Sequence, residues 1–209
     1  MKSGIGQLSA ERVGAEMSGI LSLPRASFAL NAMAETQILA EVWPAAPDLA
    51  AAERMKSLEP AAAAPLMLAA LWGDEGDGVG ARLRLSNAEK SVRFAALTNA
   101  GDIAPSPSAH DLRAHLYRLG KDVAADAALL AAARGALDDK QYRDLVRRID
   151  ETAPPVFSIS GRHIVDAGVA PGPDVSRLLA AIETQWIAED FPGETRQREI
   201  LKDVLAAKN

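Results

Sequence analysis

Apolar residues recur at helical spacing from the start of the chain. Ser9 reads as an N-cap with Glu11 near the positive end of the helix dipole, and Val13, Met17 and Ile20 follow on one face as far as Leu23-Pro24. A second segment from Ala26 to Ala34 carries Phe28, Leu30 and Met33, and Ile38, Leu39, Val42 and Trp43 extend an apolar face until Pro44 stops it. Asp48 is placed to cap a helix from Leu49 to Leu58, and Pro65 suits the first turn of one running from Leu66 to Trp72. Ser86 and Glu89 form a capping box that opens a helix through Val92, Phe94 and Leu97. A connector from Asn99 to Ser108, with Gly101, Pro105 and Pro107, leads to helices from Ala109 to Leu119, Lys121 to Ala133 and Asp138 to Glu151. Beyond Thr152-Ala153-Pro154-Pro155, a short extended piece from Val156 to Ile159 enters two apolar helical segments. They meet at a turn punctuated by Gly168, Pro171, Gly172 and Pro173 and run on to Trp186. After Ile187 and Phe191, Pro192-Gly193 separates a last amphipathic helix from Thr195 to Ala207. The pattern predicts an all-α fold, a multi-helix array of roughly ten short helices.

Composition strengthens that expectation. The chain is 48% hydrophobic, enough for a sizeable core, yet only 4% aromatic and rich in alanine, a balance that favours helices over strands. No cysteine is present, so disulfides, Cys-ligated zinc and a thiol nucleophile are excluded, and a reducing, cytoplasmic home is compatible. Met1 to Gly6 lacks the layout of a secretory signal. The most apolar stretch, Pro60 to Trp72, is interrupted by Pro65 and is shorter than the roughly 20 residues a spanning helix needs, so a soluble protein with no membrane partner is expected.

The net charge of -5 is unevenly spread. From Arg82 to Arg148 there are 12 Lys and Arg against 8 Asp and Glu, a surplus of 4, whereas the remainder has a deficit of 9. Lys140, Arg143, Arg147 and Arg148 lie on overlapping faces of the last helix of that basic middle.

A search for chemistry finds little. Gly4-Ile5-Gly6 fails as a dinucleotide fingerprint, no Gly-x-Ser-x-Gly elbow occurs, and Gly73 to Gly80 lacks the alternating ligands and distant glutamate of a calcium loop, so it reads as a solvated loop. His110 and His115 stand five apart, which on a helix turns them to different sides, and His163 stands alone. Asp138-Asp139 and Glu189-Asp190 sit at helix ends, where carboxylates are common, and neither resembles a two-metal site. No catalytic residue and no metal ligand is assigned. The Gly/Pro turn between Ile164 and Leu179 resembles a helix-hairpin-helix, but Pro171 and Pro173 remove two backbone donors and Asp174 puts negative charge where a phosphate would bind.

Three stretches carry a resemblance. Phe157-x-Ile159-x-Gly161, Ile164-Val165-x-x-Gly168-Val169-x-Pro171-Gly172-Pro173 and Leu178-Leu179-x-x-Ile182-Glu183-x-x-Trp186-Ile187-x-x-Asp190-Phe191 resemble the carboxy-terminal signature of bacterial CCA-adding tRNA nucleotidyltransferases, relatives of the poly(A) polymerases. Leu8-Ser9-Ala10-Glu11-Arg12-Val13-x-x-Glu16-Met17 resembles that family's passage from neck to body, and Arg82 to Glu89 its body-domain helix start. His163 stands where the family usually has aspartate, and Ser176 where it usually has glycine.

The resemblance implies a neck-end and RNA-binding helical region over 1–80, a body with basic helices over 81–153 and a tail over 154–209. The family's catalytic head has a Gly-Ser pair followed by a magnesium-binding Asp-x-Asp, and none of this occurs before Ser9. Mg2+ with CTP or ATP is therefore expected only in a head domain, which could be separately encoded, with no cofactor in this chain. The implied partner is tRNA, gripped through Lys140, Arg143, Arg147, Arg148 and Arg162 by sequence-independent backbone contacts. The alternatives are a helix-hairpin-helix-like DNA-binding module and a helical protein-interaction domain that does not bind RNA.

Overall fold

The computed structural model describes residues 9–73 and 78–207. Among these residues there are twelve helices and no strand: α1 (Ala10–Ser22), α2 (Ala26–Glu35), α3 (Ile38–Val42), α4 (Leu49–Leu58), α5 (Ala64–Leu71), α6 (Gly78–Arg82), α7 (Asn87–Ala100), α8 (Ala109–Ala133), α9 (Asp139–Glu151), α10 (Gly161–Asp166), α11 (Pro173–Ala188) and α12 (Glu194–Ala206). The all-α fold is as the hydrophobic pattern requires. None of these helices is long and apolar enough to cross a membrane.

Local signals set most boundaries. The Ser9 side chain accepts from the Arg12 amide at 3.3 Å, Asp48 from Ala51 at 2.9 Å, and Ser86 and Glu89 close their box at 3.3 and 2.8 Å. Gly120, at φ 75° and ψ 171°, breaks α8 where two helices were expected to meet. One expectation fails: Gly78 to Gly80, read as loop, form the start of α6. Asp74 to Asp77 of the same loop lie outside the described residues.

Two compact units result. The first joins the chain up to Pro107 with Lys121–Glu151, and the second joins Ser108–Gly120 with the chain from Thr152. At the centre of the first unit is α5, whose eight residues are all buried because its sequence offers no polar face. Helices α1, α4 and α7 pack against it. A helix buried all round cannot send its last carbonyls to water, so the surrounding chain must supply donors. Arg134 donates to Ala69 O at 3.0 Å, the Asp48 amide to Leu71 O at 2.8 Å, and the buried Arg93 to Trp72 O at 2.9 Å. Buried Lys56 serves the turn before α5 in the same way, donating to Pro60 O and Ala62 O at 3.1 and 3.0 Å, and burial pushes its pKa down.

The second unit closes around Trp186, 1% exposed, with Ile164, Leu178, Ile182 and Ile200. Tyr117 and Phe191 meet its ring edge-on at centroid distances of 5.0 and 5.1 Å, and Phe157 lies tilted at 5.0 Å. The indole donates to Pro192 O at 2.8 Å. Asp190 and Phe191 adopt left-handed φ of 66° and 60° to bring the Phe191 ring back onto Trp186. Gln197, 2% exposed, pins the entry segment to α12: its amide NH2 reaches Val156 O at 3.0 Å and Pro192 O at 3.2 Å, and its oxygen accepts from the Ser158 amide and hydroxyl at 2.8 and 2.9 Å. Val156 to Ile159 belongs to no helix or strand, and its backbone bonds the Gln197 side chain.

Two glycines of α1 test the packing. A Cβ on Gly14 would stand 1.9 Å from Leu83 O, a backbone atom that cannot swing aside, whereas one on Gly19 meets nothing within 4 Å. Gly14→Ala is expected to destabilise the first unit by about 2–3 kcal/mol through overpacking. Gly19→Ala is expected to stabilise it by about 0.5–1 kcal/mol through helix propensity. Urea unfolding followed by circular dichroism reads both, and equal effects would contradict this packing.

Candidate nucleic-acid interface

Helix α9 begins where Asp138 accepts from the amides of Lys140 and Gln141, both at 2.8 Å, while the Gln141 side chain accepts from the Asp138 amide at 2.8 Å. Asp139 takes the Arg54 guanidinium at 3.2 Å, and the same guanidinium donates to Leu137 O at 2.8 Å, which ties the helix start to α4. The acid pair at 138–139 is thereby spent on a cap and an ion pair.

Tyr142, Leu145 and Ile149 are the buried residues of α9. At about 100° per residue, Lys140, Asp144 and Arg147 fall on the opposite side within an arc of about 60°, with Arg143 and Arg148 at its two edges. Lys140, Arg143 and Arg147 are exposed. The sequence thus separates an apolar side, held by the core, from a cationic side that has nowhere to go but solvent.

The connector before α8 turns this face into a groove. Arg148 is half-buried and donates to Pro107 O at 2.8 Å, so the connector is fixed alongside the helix. Pro105 and Ser106 line one side of an open groove of about 270 Å³, and Lys140, Asp144, Arg147 and Arg148 line the other. Arg147 pairs with Asp144 at 3.2 Å, with both side chains more than half exposed. A site of this kind suits phosphate oxygens, which need convergent donors and positive charge. It does not suit a divalent cation, because its one carboxylate already faces three cations, and among the described residues no group of three acids or histidines is close enough to hold a metal.

Of the residues singled out by sequence, four are brought together on α9, with Arg148 acting first as a strut. Arg162 lies in the second unit, on α10, 89% exposed and 3.8 Å from Asp166. Sequence reasoning missed how many cations of the basic middle are committed to backbone carbonyls: Arg93, Lys121, Arg134 and Arg148 all are. It also passed over Asp144, whose i+3 and i+4 spacing to Arg147 and Arg148 was the available signal.

The histidines and the second acid pair have structural partners within the second unit. His110 Nδ1 lies 3.0 Å from Asp190, which also takes the Arg113 guanidinium; these bonds hold the Asp190 carboxyl below its usual range. His115 Nδ1 is 3.2 Å from Asp111 O. His163 closes a capping box, its Nδ1 accepting from the Ser160 amide at 3.1 Å, so an imidazole does at this position what a carboxylate would. Glu189 takes Arg196 through both oxygens at 2.7 and 2.9 Å. No protein-family model matches the chain, and no curated protein matches it in sequence.

If Arg148 is the strut that shapes the groove, Arg148→Ala is expected to cost about 1–2 kcal/mol for a lost charge-assisted bond and to raise fast backbone motion in the connector, read from lower heteronuclear NOE values at Ile103, Ala104 and Ser106. Arg143→Ala is expected to change neither. Unaltered NOE values in Arg148→Ala would refute the strut.

Proposed function

We propose that this chain is the tRNA-binding helical portion of a CCA-adding tRNA nucleotidyltransferase, active in 3′-end CCA addition or repair when joined to a nucleotidyltransferase head. The observation that carries the RNA-binding part is the exposed cationic side of α9, with Lys140, Arg143 and Arg147 opposite the buried Tyr142, Leu145 and Ile149. Cations held rigidly on one helix face give affinity for a phosphate backbone without reading bases. The tRNA part rests on the residue pattern from Phe157 to Phe191, which supplies the core of the second unit. In this reading the head domain binds Mg2+ with CTP or ATP and carries out phosphoryl transfer, while the α9 groove and its helical frame hold the RNA.

The helix-hairpin-helix alternative gains nothing from the fold, since α10 has only six residues and its successor opens on Pro173 with Asp174 in its first turn. A protein-interaction domain without RNA binding is the competing reading, favoured by the exposure of Leu23 and Phe28 at 53% and 82%.

Whole tRNA is expected to bind the purified chain at low salt with little dependence on anticodon sequence. With about three phosphates neutralised, affinity should fall roughly 40-fold for a fourfold rise in salt. The chain alone is expected to incorporate no radiolabelled CTP into tRNA lacking its 3′ end. Absence of tRNA binding at low salt would overturn the proposal.

A further inference from the structure

The α9 groove contains one feature that phosphate binding does not explain. Asp144 sits among Lys140, Arg147 and Arg148, which stand four positions before it and three and four after it, and its negative charge opposes any phosphate that enters. Its Oδ1 accepts from Arg147 at 3.2 Å, and its Oδ2 has no partner among the described residues. An ionised carboxylate only accepts hydrogen bonds, and a phosphodiester has no proton to donate. A ligand that uses both parts of the groove must therefore present a donor close to its phosphates. The RNA backbone has that combination in every nucleotide, a 2′-hydroxyl beside a phosphate, and the DNA backbone does not.

Resting on the RNA-binding reading above, we propose that Asp144 accepts a hydrogen bond from a ribose 2′-hydroxyl while Lys140 and Arg147 hold the adjoining phosphates, so that this groove selects RNA over DNA. Lys140, Arg147 and Arg148 line the groove with Asp144, and their charge lowers the cost of bringing a carboxylate near phosphates. Arg147 has two roles here, orienting the carboxylate through Oδ1 and contributing positive charge to the backbone. Ser106, on the opposite wall, adds a hydroxyl able to donate to a phosphate oxygen.

The test is a comparison of two synthetic hairpins of one sequence, one RNA and one DNA, binding to the 209-residue chain at fixed low salt. The wild-type chain is expected to prefer RNA. Asp144→Ala should lower the RNA-to-DNA affinity ratio roughly tenfold, the effect of one charge-assisted hydrogen bond, while DNA affinity stays level or rises. Asp144→Asn, which keeps an acceptor oxygen but loses the charge, should retain part of the preference. An RNA hairpin with 2′-O-methyl groups should bind wild type like DNA. If both variants tighten RNA and DNA by the same factor, or if wild type shows no preference, the 2′-hydroxyl role is refuted and the RNA-binding reading stands. If wild type binds neither tRNA nor the RNA hairpin, that reading itself fails and the selection falls with it.

Discussion

Burial of α5 on every side is the constraint from which the first unit follows. Eight residues with no polar side chain must be covered all round, and α1, α4 and α7 provide the cover. Side chains alone do not meet the requirement, because the carbonyls at the end of such a helix keep their need for donors after water is removed. Arg93, Arg134 and the Asp48 amide meet that need from three places distant in sequence. Close approach is the other consequence: Gly14 of α1 lies directly against the Leu83 carbonyl, where a methyl group would not fit.

The use of arginine and lysine inside the frame changes the meaning of the charge distribution. A surplus of positive charge between Arg82 and Arg148 suggests a broad basic surface. In the fold, four of these cations, Arg93, Lys121, Arg134 and Arg148, donate to backbone carbonyls, and Arg113 and Arg84 pair with Asp190 and Glu11; Arg82 and Arg118 stand exposed on other helices, and Lys140, Arg143 and Arg147 gather on the outer side of α9. What distinguishes α9 is geometry: Lys140 and Arg147 stand on one helix beside a connector fixed by Arg148 and line a groove with it. The carboxylate of Asp144 within it is the element that gives the groove more than charge.

Features written locally were legible in the sequence. Ser9, Asp48 and the Ser86 and Glu89 pair each bond within three residues, and Gly120 breaks a helix through its own backbone preference. The amphipathic division of α9 was legible for the same reason, since helical period alone puts Lys140 and Arg147 opposite Leu145. Partners supplied by distant chain were not. Gln197 looks like any polar residue of a surface helix until Val156, Ser158 and Pro192 converge on it. Arg93 and Lys56 look like solvated charges until the helices around α5 enclose them. The start of α6 was missed because its glycines read as loop by propensity.

The central claim is that the outer side of α9 neutralises RNA phosphates. Its most direct measurement is the slope of log affinity against log salt for whole tRNA, taken for the wild-type chain and for Arg143→Ala, a side chain with no structural partner among the described residues. Loss of one phosphate contact should reduce the slope by about 1 and weaken binding uniformly across tRNA sequences, with helical content unchanged. An identical slope in the variant, with tRNA still bound, would place the interface elsewhere and contradict the account.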